Sequence, residues 1–256
     1  MLKNIIQSSL MKVSIITCTL NSAKFIKECL DSIQIQSYDN YEVIIVDGGS
    51  TDDTLEIISS YSFSQVFHGI KGGISNAMNF GISKAKGEIL SILHSDDFYD
   101  NKLVLEQVVN EFRNNPEKKW LFGPIRIKYT DRIVDRPINV DYSPKAILSH
   151  NFIPHPGVFV HRDVYREVGL FNTKFKYAMD YDLLLRISKK FQPIQISQYL
   201  AVFRNHSNSL SSKNKFKASL ESFKVQHKYF GSFIDVLNGY FYFSKSTFKH
   251  FLNAWI

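Results

Sequence analysis

The feature that most constrains this chain is a repeated unit in which a β-branched apolar run ends in a polar cluster and is followed by a segment of helical period. Val13–Ile16 holds three β-branched residues in four, Tyr41–Val46 (YEVIIV) repeats the character, and Glu88–Leu93 does so again, with a weaker run at Gln65–His68. Between them, Phe25, Ile26, Cys29, Leu30 and Ile33 recur at helical spacing and predict a helix ending near Gln36. Leu55, Ile57 and Ile58 predict a second helix, capped by Ser50 or Asp52. Ile74, Ala77, Met78 and Ile82 predict a third, opened by Gly72 and Gly73 and stopped by Gly87. Strands alternating with helices at this spacing predict an α/β fold with a parallel, doubly wound sheet and right-handed crossovers. Ligands of such sheets sit outside the carboxyl ends of the strands. The polar clusters Thr17–Asn21, Asp47–Asp53 and His94–Asp97 fall at those ends.

The second half is less regular. It predicts helices over Asn101–Arg113, Arg162–Val168 and Tyr181–Lys190, the last with Leu183, Leu184 and Ile187 on its buried side and Asp182 as its cap. Leu121–Ile127, a piece near Ile133, and Val158–Val160 read as strands, and Ile194–Ile196 and Leu200–Phe203 as edge strands. The expected organisation is an N-terminal extension (1–10, with Met11 a candidate start), one domain over 11–210 divided at about residue 100, and a helical tail over 211–256. Thirty-one basic against 24 acidic residues give a net charge of +7. The tail carries seven lysines against Glu221 and Asp235, together with 12 aromatic residues. That mixture suits either a segment lying on an anionic bilayer surface or one packed on the domain. No apolar run approaches the roughly 18 residues of a membrane-spanning helix. Val13–Leu20 lacks the small-residue cleavage site of a signal peptide. Two cysteines, Cys18 and Cys29, exclude a disulfide scaffold and fit a reducing, cytoplasmic setting.

Five constellations can carry chemistry, and each has a plainer reading. His94-Ser95-Asp96-Asp97 at a strand end is either a pair of carboxylates for Mg²⁺ or Mn²⁺ bridging a diphosphate, or a helix cap. Asp47-Gly-Gly-Ser-Thr-Asp-Asp-Thr is a turn that lets backbone approach a ligand, or an ordinary capped βα turn. Lys71-Gly-Gly-Ile-Ser-Asn76 is an anion-binding helix start or simply a helix start, and it matches neither a P-loop nor GxGxxG. Asp180, in Met179-Asp-Tyr-Asp182, is a general base or a cap. His206, in Arg204-Asn-His206, is a ligand or a structural histidine.

Their order resembles that of the family 2 glycosyltransferases, which have the GT-A fold. The resemblance rests on Val13-Ser-Ile-Ile-Thr-Cys-Thr-Leu-Asn, Val46-Asp-Gly-Gly-Ser-Thr-Asp-Asp-Thr, Gly72-Gly-Ile-Ser-Asn-Ala-Met-Asn-Phe-Gly-Ile and Ser95-Asp-Asp. It continues through Gly157-Val-Phe-Val-His-Arg, Gly169-Leu-Phe-Asn and Tyr177-Ala-Met-Asp-Tyr-Asp-Leu-Leu-Leu-Arg, covering about residues 12–210. It implies a mixed sheet with helices on both faces, a nucleotide-sugar half over 11–100 and an acceptor half over 101–210. By position, Thr17, Asn21, Asp47, Lys71, Asn76, Ser95 and Asp96 would bind the nucleotide sugar, Asp96, Asp97 and His206 the metal (Mn²⁺ or Mg²⁺), and Asp180 would deprotonate the acceptor.

Three positions depart from the family pattern. His94 replaces the first acid of the Asp-x-Asp motif, Gly48 the second Asp of the nucleotide turn, and Met179 the Glu before the base. The implied reaction is inverting transfer of a hexose from a UDP-sugar (UDP-glucose, UDP-galactose or a UDP-N-acetylhexosamine) in β linkage. The implied acceptor is a polyprenyl-diphosphate-linked oligosaccharide of O-antigen or capsule synthesis at the inner membrane face, with no nucleic-acid partner. A metal-dependent nucleotide-binding or phosphatase-like protein is the competing reading. A phosphatase would need a second acid where Gly49 stands.

Overall fold

The structure, a computed structural model, describes residues 11–62, 65–206 and 214–229. The N-terminal extension and most of the tail lie outside the described residues. The first half follows the expected alternation: β1 (Val13–Thr19), α1 (Ile26–Gln34), β2 (Tyr41–Asp47), α2 (Thr54–Ser59), β3 (Gln65–Phe67), α3 (Ile74–Lys84) and β4 (Ile89–Ile92). After it come β5 (Phe98–Tyr99), α4 (Val104–Asn114), β6 (Trp120–Phe122), β7 (Ile125–Lys128) and β8 (Ile133–Arg136). The chain continues through α5 (Pro144–Ser149), a short 3₁₀ turn, β9 (Val158–His161), α6 (Arg162–Val168) and α7 (Met179–Ser188). Last come β10 (Ile194–Gln195), β11 (Ala201–Arg204) and α8 (Lys215–Tyr229).

A seven-stranded sheet runs in the order β10-β6-β9-β4-β1-β2-β3. The four strands of the first half are parallel, as expected, and β9 is antiparallel to both β4 and β6. The sheet is therefore mixed and draws on both halves of the chain. Alternation along the strands feeds two apolar layers. Ile16, Ile44, Val46, Leu90 and Ile92 pack with α3, α5, α6, α7 and Val225 of α8 on one face. Val13, Ile15, Val43, Ile45, Ile89 and Leu93 pack with α1 and α4 on the other.

A second, smaller sheet, β5-β11-β7-β8, corrects two expectations. Leu121–Ile127 is not one strand. It breaks at Gly123-Pro124, where a Cβ on Gly123 would come within 2.9 Å of the Gln198 carbonyl oxygen and Pro124 has no N–H for a ladder. Leu200–Phe203 is not an edge strand either, because β11 lies between β5 and β7, antiparallel to one and parallel to the other. This small sheet matters for function. Val202 of β11 faces Phe98 of β5, so Arg204 falls level with Asp96, just before β5. The end of β11 is thereby carried to the carboxyl end of β4.

Candidate active site

Three loops converge at the carboxyl ends of β1, β2 and β4, and they are tied to one another. The polar loop expected from Thr17 begins only after Thr19, and Thr17 is fully buried inside β1. Asn21 takes a left-handed backbone (φ 50°), its Oδ1 accepts the Thr51 amide (2.8 Å), and its own amide donates to Ser50 Oγ (2.8 Å). The Ser22 amide donates to Thr54 Oγ1 (2.8 Å) and the Ala23 amide to Asp52 Oδ2 (3.1 Å). Ser95 Oγ donates to Ser22 Oγ (2.8 Å), which joins the β4 loop to the same assembly.

Asp47 organises this floor rather than opening onto it. Its carboxylate is fully buried and accepts the Gly49 amide (2.8 Å), the Ser50 amide (2.9 Å) and the Ser50 hydroxyl, with His68 Nδ1 2.7 Å from Oδ2. Burial alone would raise this carboxyl, but the Ser50 hydroxyl and amide, the Gly49 amide and His68 together hold it below its usual range. Lys71 is exposed, and its carbonyl accepts Asn76 Nδ2 (2.5 Å) across Gly72 and Gly73, both at positive φ. Asn76 thus shapes the start of α3, where a Cβ on Gly72 would lie 3.1 Å from its amide nitrogen.

The two carboxylates of Ser95-Asp96-Asp97 have different surroundings. Asp97 is 2% exposed, and its Oδ1 accepts the Arg204 amide (2.9 Å). Burial, and then the neighbouring Asp96, keep its carboxyl well above the usual range. Asp96 is partly exposed, with Oδ2 3.0 Å from His206 Nε2. Residues 110 positions apart in sequence therefore meet, and Arg204 holds them there. Its Nε donates to the Asp96 carbonyl (3.1 Å), its Nη2 pairs with Glu28 of α1, and its guanidinium lies 4.8 Å from the ring centroid of Phe25. The Phe25 ring also packs on His206, with centroids 4.7 Å apart.

Among the described residues no three His, Cys, Asp or Glu side chains gather as a metal cage. One accessible carboxylate against one imidazole is nevertheless a donor set that fits a hard divalent cation completing its shell with diphosphate oxygens. His206 Nδ1 is buried and without a hydrogen-bond partner.

Behind Asp96 lies a pair of imidazoles. His94, in the place of an acid, stacks on His155 of the 3₁₀ turn with ring centroids 5.3 Å apart. Burial pushes both down to about 4, so both rings are neutral at pH 7. The carboxylates of Asp96 and Asp180 oppose that push on His94, but weakly beside burial. His155 and Asp180 line the same internal cavity of about 20 Å³. Asp180 occupies the first turn of α7, where burial raises its carboxyl despite the Tyr181 amide it accepts (2.7 Å). Asp182, expected to cap this helix, does not. The helix starts at Met179, and Asp182 is a buried ion-pair hub for Arg186 Nε (2.9 Å), Lys228 Nζ (3.2 Å) and Tyr229 Oη (2.9 Å).

Sequence reasoning did not single out His155, Glu28 or Arg204 as site residues. Pro154-His155-Pro156-Gly157, a histidine held between two prolines at a strand start, was the available signal for the first.

The model of glycosyl transferase family 2 matches residues 14–169. The chain belongs to this family. A glycosyltransferase of Rickettsia typhi is 31% identical over 198 residues, which span 70% of this chain and 60% of that protein. A PGL/p-HBAD biosynthesis glycosyltransferase of Mycobacterium tuberculosis is 27% identical over 194 residues, or 74% of this chain and 73% of the relative. The chain thus spans only 60% of the first of these relatives, and 35% of a second rickettsial glycosyltransferase, from Rickettsia felis. Among solved structures, S. aureus TarS (residues 1–349, with UDP-GlcNAc) superposes with a TM-score of 0.66 at 21% identity, over 86% of this chain and 71% of that one. The mannosyltransferase PcManGT of Pyrobaculum calidifontis, with GDP-Man and Mn²⁺, gives 0.65 at 19% identity, over 90% and 69%. These likenesses carry the fold, which is the mixed-sheet GT-A architecture described above.

Proposed function

We propose that this protein is an inverting, divalent-metal-dependent glycosyltransferase that moves a hexose from a nucleotide sugar, a UDP-hexose, onto a sugar hydroxyl. The observation that carries the reading is the meeting of Asp96 with His206 at the strand ends where an α/β sheet binds nucleotides, next to the His94–His155 stack whose pocket Asp180 also lines. Asn21, the Asp47 turn, Lys71, Asn76 and Ser95 form the nucleotide-sugar side. Asp96 and His206 would hold Mn²⁺ or Mg²⁺, with Asp97 behind them fixing Arg204 and the loop. Bound there, the cation would supply Lewis-acid stabilisation of the departing diphosphate. The raised carboxyl of Asp180 suits it to take the proton from the attacking hydroxyl. A single displacement needs one base and no enzyme nucleophile, and it turns an α-linked donor into a β-linked product.

We assign the acceptor to the class of lipid-diphosphate-linked oligosaccharides at the cytoplasmic membrane face, as in O-antigen or capsule assembly. The support is the composition of residues 230–256, which hold nine aromatic residues and two lysines. No helix of the described residues is long and apolar enough to cross a membrane. The test is UDP release from UDP-glucose, UDP-galactose and UDP-N-acetylglucosamine, with Mn²⁺ or chelator, with and without a polyprenyl-diphosphate-linked monosaccharide. Metal-dependent release stimulated by that acceptor supports the reading. Release unchanged in chelator removes the metal role, and no release from any UDP-sugar removes the donor assignment.

A further inference from the structure

The base proposed above stands on a helix that cannot cap itself. α7 begins after Ala178, which has no capping side chain. The amides of Lys176, Tyr177 and Ala178 therefore come to the helix start as three successive donors without an intrahelical partner. They converge on one carboxylate from the far end of the chain. Glu221 Oε1 and Oε2 each accept the Lys176 amide at 3.0 Å, and Oε2 also accepts the Tyr177 amide and the Ala178 amide (2.7 Å).

Glu221 is the one acid in α8, a helix whose other charged residues are lysines. The helix is anchored independently of it. Val225 is fully buried, Gln226 Nε2 donates to the carbonyls of Leu148 (3.2 Å) and Ser149 (2.8 Å), and Lys228 and Tyr229 engage Asp182. α8 therefore holds α7 on both sides of Asp180, at residues 176–178 and at 182. An aspartate side chain is short, so the position of its carboxylate follows from the backbone of the first turn. A base displaced by about 1 Å can lose on the order of 10²-fold in rate.

We propose that Glu221 is a positioning residue for catalysis: by gathering the three amides ahead of α7 it fixes where the Asp180 carboxylate meets the acceptor hydroxyl. The proposal rests on Asp180 being the base. The Glu221 charge also adds to burial in keeping the Asp180 carboxyl raised.

The test uses the full chain and four variants: Glu221→Ala, Glu221→Gln, Asp180→Asn and the double variant Glu221→Ala/Asp180→Asn. The readouts are Mn²⁺-dependent UDP release from whichever UDP-sugar of the panel is turned over, UDP affinity, and the melting temperature. Glu221→Ala should lower kcat about tenfold to a hundredfold with UDP affinity within about twofold of wild type. Glu221→Gln keeps one acceptor oxygen and should recover part of the loss. In the Asp180→Asn background, adding Glu221→Ala should cost less than about twofold, because its route to the chemistry is already gone. Wild-type turnover by Glu221→Ala, beside a slow Asp180→Asn, overturns the clamp and leaves the base standing. The same loss in both backgrounds shows that Glu221 acts by some other route and also overturns the proposal. Wild-type turnover by Asp180→Asn instead overturns the base assignment. If Glu221→Ala does not fold, Glu221→Gln carries the same comparison.

Discussion

The two acids of Ser95-Asp96-Asp97 should fail in opposite ways when each is replaced. Asp97 is 2% exposed and its Oδ1 accepts the Arg204 amide at 2.9 Å. Asp97→Ala leaves that amide without an acceptor in a part-buried site, a loss of about 1–3 kcal/mol. For a chain of this size 1 kcal/mol moves the melting temperature by about 2–4 °C, so the expected drop is about 2–12 °C. Asp97→Asn keeps an acceptor oxygen and should restore most of it. The Asp96 side chain is 27% exposed and its partner His206 19%. An accessible pair of this kind contributes about 0–1 kcal/mol, so Asp96→Ala should melt within about 4 °C of wild type. Its deficit should appear in function, as loss of the Mn²⁺-dependent part of UDP affinity. Differential scanning fluorimetry and calorimetric titration of UDP with Mn²⁺ or chelator measure both quantities on the same samples. If Asp97→Asn melts like wild type yet loses Mn²⁺-dependent UDP affinity as completely as Asp96→Ala, the two acids share one role and the reasoning from burial is refuted.

Asp182→Ala removes the buried partner of Arg186, Lys228 and Tyr229. It should cost about 3–5 kcal/mol in urea unfolding while the folded fraction keeps its UDP affinity, and a loss below about 1 kcal/mol would contradict the hub. The buried imidazoles set a pH dependence. With folded values pushed down to about 4, His94 and His155 take up protons more readily in the unfolded chain, whose histidines titrate near 6.5. Stability should be full above about pH 6.5 and fall as pH drops toward 4, by up to about 1.4 kcal/mol per pH unit for each ring. His155→Asn should flatten that slope in urea titrations at pH 7 and pH 5, and equal slopes in the two proteins would refute the burial argument.

What the sequence made legible was local. The β-branched apolar runs and the helical period of 3.6 in residues 13–93 gave the order of β1 to β4 and of α1 to α3, with the three-residue β3 the weakest signal. The meeting of Asp96 with His206 was foreseen only through family resemblance. The contact depends on β5, a strand of two residues pairing with β11, and two residues show no period. Where expectation and structure part, a distant residue has taken over the polar group. Asp47 looked free to meet a ligand because His68, 21 positions away, could not be foreseen closing on it. Asp182 looked like a cap because Lys228 and Tyr229 lie 46 and 47 positions away.

The tail shows the same limit from the other side. Its lysines and aromatics pointed to membrane docking, with packing on the domain as the alternative. In α8 the deciding residues are Val225, Gln226 and the lone acid Glu221, none of which the composition emphasised. The described part of the tail packs against α5 and α7 and carries the carboxylate on which the start of α7 rests. The family model ends at residue 169, before Asp180, before His206 and before Glu221. The segment in which this chain would set its own acceptor chemistry is thus the one the shared family pattern describes least.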